Sequence, residues 1–197
     1  KMSKILFVVG HTDLSNDSVV TKEVVKILQS EFPQSTFSIL SELYKDFQIN
    51  VKVEQDKIRA ADTIVFVYPI FWYGFPSLLD RYVEQVFVHG FGHGSKGEVT
   101  GKKFLAAFTT GAPESLYTHE GDFKYTADEF FEPKLKTMCG LCKLNYCGYV
   151  FSGGVSYFLR SDPNQKEHLL NAAKAHANKI IEKLKSNQLN YHFRTNH

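Results

Sequence analysis

The chain has 197 residues, 43% of them hydrophobic and 22% charged. That balance suits one globular domain able to bury a core without disulfide or metal staples. Lys plus Arg number 23 against 21 Asp plus Glu, a net charge of +2, which gives no electrostatic basis for binding nucleic acid. Cys139, Cys142 and Cys147 are an odd, clustered set; this argues against a secreted disulfide framework and for a reducing cytoplasm. The first apolar run ends at Gly10, too short for a signal-peptide core. The longest apolar stretch, from Thr63 to Leu79, is broken by Pro69, Gly74 and Pro76 and falls short of the ~20 residues of a membrane span. The chain therefore reads as a soluble protein.

Ile5-Leu6-Phe7-Val8-Val9 is continuously apolar, as a strand covered on both faces must be. Gly10 ends it, and a polar loop from His11 to Ser18 leads into a helix with Val19, Val20, Val24, Ile27 and Leu28 at helical spacing, closed by Pro33. Thr36 to Leu40 alternates as a second strand, Ser41 to Val53 reads as a loop, and Glu54 to Ala61 as a short helix. Thr63 to Tyr68 is a third strand stopped by Pro69. A helix from Pro76 to Val88 follows, then a flexible aromatic loop, Gly90-Phe91-Gly92-His93-Gly94. Lys103 to Phe108 is a fourth strand, Asp128 to Gly140 a helix despite Pro133, Leu144 to Phe151 a fifth strand, and Pro163 to Leu184 a long amphipathic helix. The polar tail runs from Ser186 to His197. Strands alternating with helices imply right-handed crossovers and a covered parallel sheet. The expected architecture is a single α/β, flavodoxin-like three-layer domain over residues 1–197, with a five-stranded sheet of order 2-1-3-4-5. Such sheets bind ligands beyond the carboxyl ends of their strands, at the switch point between strands one and three.

Three loops lie there. Gly10 to Ser18 lacks both Gly-x-Gly-x-x-Gly and a P-loop, but His11, Ser15, Asn16 and Ser18 precede a helix N-terminus, where hydroxyls, amides and the helix dipole suit a phosphate. Simple capping by Ser15 or Asp17 is the alternative. Tyr68 to Pro76 sets Phe71, Trp72 and Tyr73 between two prolines, a rigid flat wall for a conjugated ring or a partner surface. Thr109-Thr110-Gly111-Ala112 lets the backbone approach a ligand, and Tyr117 follows within reach. Three such loops in register weigh far more than one.

Other side chains read as structural. Cys139-Gly140-Leu141-Cys142 has the spacing of a redox dithiol or half a zinc site, with Cys147 and a histidine to complete the latter. It closes a helix rather than opening one, so buried cysteines are expected, with no catalytic metal. His168, His176 and His192 read as surface or helix-face residues, and Asp80 with Arg81 as an ordinary helix ion pair.

Ala61-Asp62-Thr63 through Tyr68-Pro69-Ile70-Phe71-Trp72-Tyr73-Gly74-Phe75-Pro76, then Val86 to Gly94, Gly101-Lys102-Lys103, and Thr109-Thr110-Gly111 with Tyr117 carry a specific likeness. From strand one to about Gly140 the chain resembles the flavin-dependent NAD(P)H:quinone oxidoreductase family, in the bacterial branch of KefF-type potassium-efflux ancillary proteins and general-stress oxidoreductases. The resemblance implies a bound flavin, FMN with FAD as the alternative. His11 and Ser18 would hold its phosphate, with Val19, Val20 and Thr21 at the same helix start. Pro69, Ile70, Phe71, Trp72 and Tyr73 would flank the ring, and Thr109, Thr110, Gly111 and Ala112 would line it. Tyr117 would stand at the reacting edge as a catalytic residue.

The chain departs from that family in three places. A Ser-Arg-x-Asn pattern becomes Ser18-Val19-Val20-Thr21, a second glycine becomes Ala112, and Phe123 stands where the mammalian enzymes have a proton-sharing histidine, leaving His119 as the substitute catalytic candidate. The implied chemistry is ping-pong hydride transfer from NADH or NADPH to a quinone or similar aromatic acceptor. The family also implies a homodimer, with Gly90 to Gly94 approaching the partner's site. A regulatory subunit bound to a transporter and a flavodoxin-like electron carrier are the competing classes; the charge of +2 disfavours the carrier.

Overall fold

The computed structural model describes residues 4–186; residues 187–197 of the expected tail, His192 among them, lie outside these. Five strands form one parallel sheet: β1 Ile5–Val9, β2 Thr36–Ile39, β3 Thr63–Pro69, β4 Lys103–Thr109 and β5 Asn145–Ser152. Their order is β2-β1-β3-β4-β5, as expected. Each strand lies within about a residue of its expected bounds, because a continuous apolar run ended by Gly, Pro or Thr marks its own limits.

The two faces of the sheet are sorted by the period of two along each strand. Leu6, Val8, Ile64, Phe66, Phe104, Ala106 and Phe108 point to one side. There they meet helices α3 Leu40–Leu43, α4 Val51–Ala60, α5 Ser77–Val86 and α6 Ala127–Cys142. Phe7, Val9, Val65, Val67, Leu105 and Ala107 point to the other, against α2 Val20–Glu31 and α7 Lys166–Lys185. A four-residue helix, α1 Leu14–Asp17, sits in the loop after β1. An extra residue in β5 shifts the register between Phe104 and Ala106. Gly148 beside it takes a φ of +92°, a conformation that only glycine adopts without strain.

Several local expectations are corrected. The supposed loop from Ser41 to Val53 contains α3, and α4 begins at Val51 because the Asn50 side chain accepts from the Val53 amide, a cap that outweighs the weak apolar signal before Glu54. The Gly90–Gly94 loop is packed rather than free. Phe91 is buried, the Gly92 amide donates to the Val88 carbonyl at 2.8 Å, and a Cβ on Gly92 would meet the Phe87 backbone at 2.7 Å. Asp80 and Arg81 do not pair, since adjacent helix residues face apart. Asp80 binds Lys134 at 2.7 Å, and Arg81 Nε donates to the Phe47 carbonyl at 3.2 Å. His176 is inside rather than on the surface: it is 1% exposed, with Nδ1 2.7 Å from Ser152 Oγ. Cys139, Cys142 and Cys147 are all buried thiols outside any disulfide, and burial pushes the pKa of each of them up. Among the described residues no helix is long and apolar enough to cross a membrane.

Candidate functional site

At the carboxyl end of the sheet a cavity of about 460 Å³ opens between four loops, within the ordinary range of roughly 300–1,000 Å³ for small-molecule sites. The first wall comes from β1 and the start of α2: His11, Ser18, Val19, Val20 and Thr21. His11 is 4% exposed, and its Nδ1 accepts from the Asp13 amide at 2.9 Å. That bond leaves the proton of the neutral ring on Nε2. Burial lowers the His11 pKa against the opposing pull of Asp17 and Asp13, which favours this neutral donor. Ser18 Oγ accepts from the Lys22 amide at 3.1 Å. Val19, the N-cap of α2, makes no side-chain cap bond. The early amides of a twelve-residue helix therefore keep part of their donor capacity for an anion. Gly10 seats the wall. Its amide donates to the Val67 carbonyl at 2.9 Å, and a Cβ there would lie 2.7 Å from Leu79 Cδ2.

The second wall follows β3. Pro69, Ile70, Phe71 and Trp72 line the cavity. Phe71 and Gly74 close a two-residue hairpin, each amide donating to the other's carbonyl at 3.2 and 3.0 Å. Trp72 and Tyr73 at its tip have φ values of +47° and +63°. A hairpin of this kind prefers Asn-Gly at those positions, so two bulky aromatics there are strained, by of order 1–3 kcal/mol each. Tyr73 is held by ring contacts to Phe123 at 5.9 Å and Phe130 at 6.0 Å. Trp72 is 95% exposed. Phe71 turns back edge-on to His11, with ring centroids 5.3 Å apart.

The third wall is Thr109, Thr110 and Gly111 after β4. Thr110 Oγ1 donates to the Ala112 carbonyl at 2.8 Å, while the Thr110 and Val155 amides tie this loop to the chain after β5. A Cβ on Gly111 would sit 3.3 Å from Ser156 Cα. Val155, Ser156, Tyr157 and Arg160 complete the cavity, together with Leu169 and Asp17. This last group was missed from the sequence. Its signal was Gly153-Gly154 just past a strand's carboxyl end, which is the same signal that marked the other loops.

Twelve of the expected cofactor residues thus meet around one cavity. Tyr73, Ala112, Tyr117 and His119 are not among those lining it. Tyr73 turns toward the aromatic cluster at the start of α6. Tyr117 is 6% exposed, packed among Phe123, Phe130, Phe131 and Phe151. Its phenol lies beside the Thr110 side chain, and burial raises its pKa. His119 is drawn to Glu129, 2.8 Å from Nε2 to Oε1. Glu129 also closes the capping box of α6 with Thr126, and its hydrogen bond raises the His119 pKa.

Comparison with known proteins agrees with this architecture. KefG of Enterobacter sp. (strain 638), an ancillary protein of a glutathione-regulated potassium-efflux system, is 30% identical over 88% of this chain and 91% of its own. The "uncharacterized NAD(P)H oxidoreductase YdeQ" of Bacillus subtilis is 34% identical over 66% of each chain. The crystal structure of general stress protein 14 of Treponema denticola, in complex with FMN, superposes with a TM-score of 0.78 at 23% identity, covering 91% of this chain and 99% of that one. The family model described as a flavodoxin-like fold matches residues 3–180, and the chain belongs to that family.

Proposed function

We propose that this protein is a flavin-dependent NAD(P)H oxidoreductase that binds FMN and reduces quinones or similar flat acceptors. The observation that carries this reading is the cavity itself. A helix start whose first two amides, Val20 and Thr21, take no side-chain cap stands at one side with a neutral histidine and Ser18, and a stiff aromatic hairpin faces the Thr109–Gly111 backbone at the other. This donor set fits a phosphorylated flavin. His11 Nε2, Ser18 Oγ and the Val20 and Thr21 amides would hold the phosphate. The Pro69–Trp72 and Thr109–Gly111 backbones would flank the ring, with Ala112 behind the second. The oxidoreductase and FMN-bound relatives support the same assignment.

A bound flavin would supply two-electron exchange with a nicotinamide and then with an acceptor. The protein's part is to orient flat substrates and exclude water between the hairpin and the Thr109 loop. Nicotinamide and acceptor would use the same space in turn, which is the ping-pong order. Tyr117 enters this reading as a positioning residue, since its phenol buttresses Thr110. His119 would have to leave Glu129 before it could act on a substrate. Trp72, the edge of the hairpin and the exposed Phe158 would be covered by a second copy of the chain, giving a homodimer that light scattering would show.

Initial rates with NADH and NADPH against a soluble quinone test the reading. Parallel double-reciprocal lines are expected; absence of turnover in flavin-loaded protein would contradict it. The likeness to KefG over most of both chains favours one second reading, a transporter-bound flavoprotein. It predicts the same cofactor plus co-purification with a membrane transporter.

A further inference from the structure

Among the residues lining the cavity, Arg160 is the one lysine or arginine, and Asp17 the one acid. The two are paired. Arg160 Nη2 lies 3.1 Å from Asp17 Oδ1, and the Tyr157 hydroxyl donates to the same oxygen at 2.9 Å. Arg160 Nη1 donates to the Tyr157 carbonyl at 2.8 Å, and the guanidinium lies over the Tyr157 ring. Arg160 arrives from the 3-10 turn Tyr157–Ser161 on the crossover from β5 to α7, whereas Asp17 immediately precedes Ser18. The clasp therefore joins the last crossover to the cavity wall at the start of α2.

The charge balance of this wall is suited to an anion only if Arg160 changes partner. The first turn of α2 adds no cation to the cavity, because Lys22 Nζ is bound to the Ser15 carbonyl at 3.0 Å and does not line it. His11 is kept neutral by burial. A phosphomonoester brought to Ser18 would carry one to two negative charges and would meet Asp17, already negative, at the neighbouring residue. Asp17 and the Tyr157 carbonyl engage at most two of the five guanidinium N–H donors, so the fork has donors left to begin binding phosphate oxygens before it leaves Asp17. Arg160 is also half-buried, its side chain 29% exposed. A guanidinium there is screened less than one at a free surface.

We propose that Arg160 is the phosphate-recognising cation of this site, held in place by Asp17 and Tyr157 and handed from Asp17 to the phosphomonoester of the bound flavin. This rests on the flavin reading above. It places recognition of the phosphate on the crossover after β5, and it makes Asp17 a competitor for the guanidinium rather than a ligand contact.

The test is a titration of the full chain, stripped of bound flavin, with FMN and with riboflavin, followed by quenching of flavin fluorescence. Riboflavin carries the same ring without the phosphate. Arg160→Gln is expected to weaken FMN by roughly ten- to hundredfold, the range for a charge-assisted hydrogen bond, and to leave riboflavin within about twofold. Asp17→Asn is expected to tighten FMN by about threefold or more as a repulsive charge is removed, again without effect on riboflavin. A wild-type preference for FMN over riboflavin that survives Arg160→Gln would overturn the proposal and leave the flavin reading standing. So would an Arg160→Gln effect confined to NADPH relative to NADH, which would move the phosphate to the nicotinamide substrate. Wild-type protein that binds neither flavin would overturn both. Should Arg160→Gln fail to fold, Asp17→Asn decides alone: FMN affinity at or below the wild-type value contradicts the handover.

Discussion

Across the cavity, the segment from Gly10 to Thr21 and the hairpin from Phe71 to Gly74 face the same ligand space with different construction. On the first, His11 and Thr21 are buried, Gly10 is pressed against Leu79, and the His11 ring and Ser18 hydroxyl are already bonded to backbone amides. On the second, Trp72 is exposed and left-handed, and the tip is held by the Phe71–Gly74 backbone pair and by ring contacts at Tyr73. A small anion needs fixed donors, because its recognition falls off with misplaced hydrogen bonds. A flat ring or substrate needs area and a movable edge. The contrast separates a wall set by the fold from a wall set by local strain.

The largest effect expected from breaking that contrast is at Ser18. Aspartate caps a helix about as well as serine, so Ser18→Asp should fold with its melting temperature little changed. Its charge should nevertheless lower FMN affinity by roughly a hundredfold. Calorimetric titration checks this, and an unchanged affinity would remove the phosphate from the start of α2. Next comes Gly10→Ala. The added methyl overlaps Leu79 at its Cδ2 and Cβ, and overpacking of this kind costs about 1–3 kcal/mol, read by urea unfolding.

The third effect is on pH dependence. Burial depresses the His176 pKa to about 3, with Lys179 adding to it, and burial also lowers that of His11. The unfolded chain takes up these protons near pH 6.5 while the folded one resists them. The stability that these histidines contribute is therefore complete above about pH 6.5 and falls as pH drops through their folded-state values, for His176 about 3. For His176 the slope is up to about 1.4 kcal/mol per pH unit. Urea unfolding at pH 7.5 and 5.5 should show the loss, and His176→Gln should flatten it; equal slopes in both proteins would contradict the assignment. The smallest effect is at the hairpin tip. Trp72→Gly removes a left-handed tryptophan that buries almost nothing within one subunit, so the stability of the isolated subunit should rise by up to about 1 kcal/mol, while dimerisation should weaken. The KM of the acceptor should rise in the same variant if the indole guides it.

What could be read from the sequence follows the same division. Strands announced themselves because a sheet covered on both faces requires unbroken apolar runs, and five of them with a helix directly after the first match the doubly wound order 2-1-3-4-5. The loops after β1, β3 and β4 were legible because the topology places ligands there. The directions of Tyr117 and His119 were not, since they depend on Phe123, Phe130 and Glu129, partners fixed only by tertiary packing. His176 was misread because its neighbours on α7 are polar as well as apolar, and nothing local to the helix shows Ser152 waiting on β5. Arg160 carried no motif. Only the fold brings residue 160 beside residue 17.

The central claim is that the cavity binds flavin through its phosphate. Its most direct test is the visible spectrum of protein purified without added cofactor, followed by mass spectrometry of the ligand released by heat. A flavin spectrum and the mass of FMN are expected. A colourless protein that also fails to take up FMN on addition would contradict it.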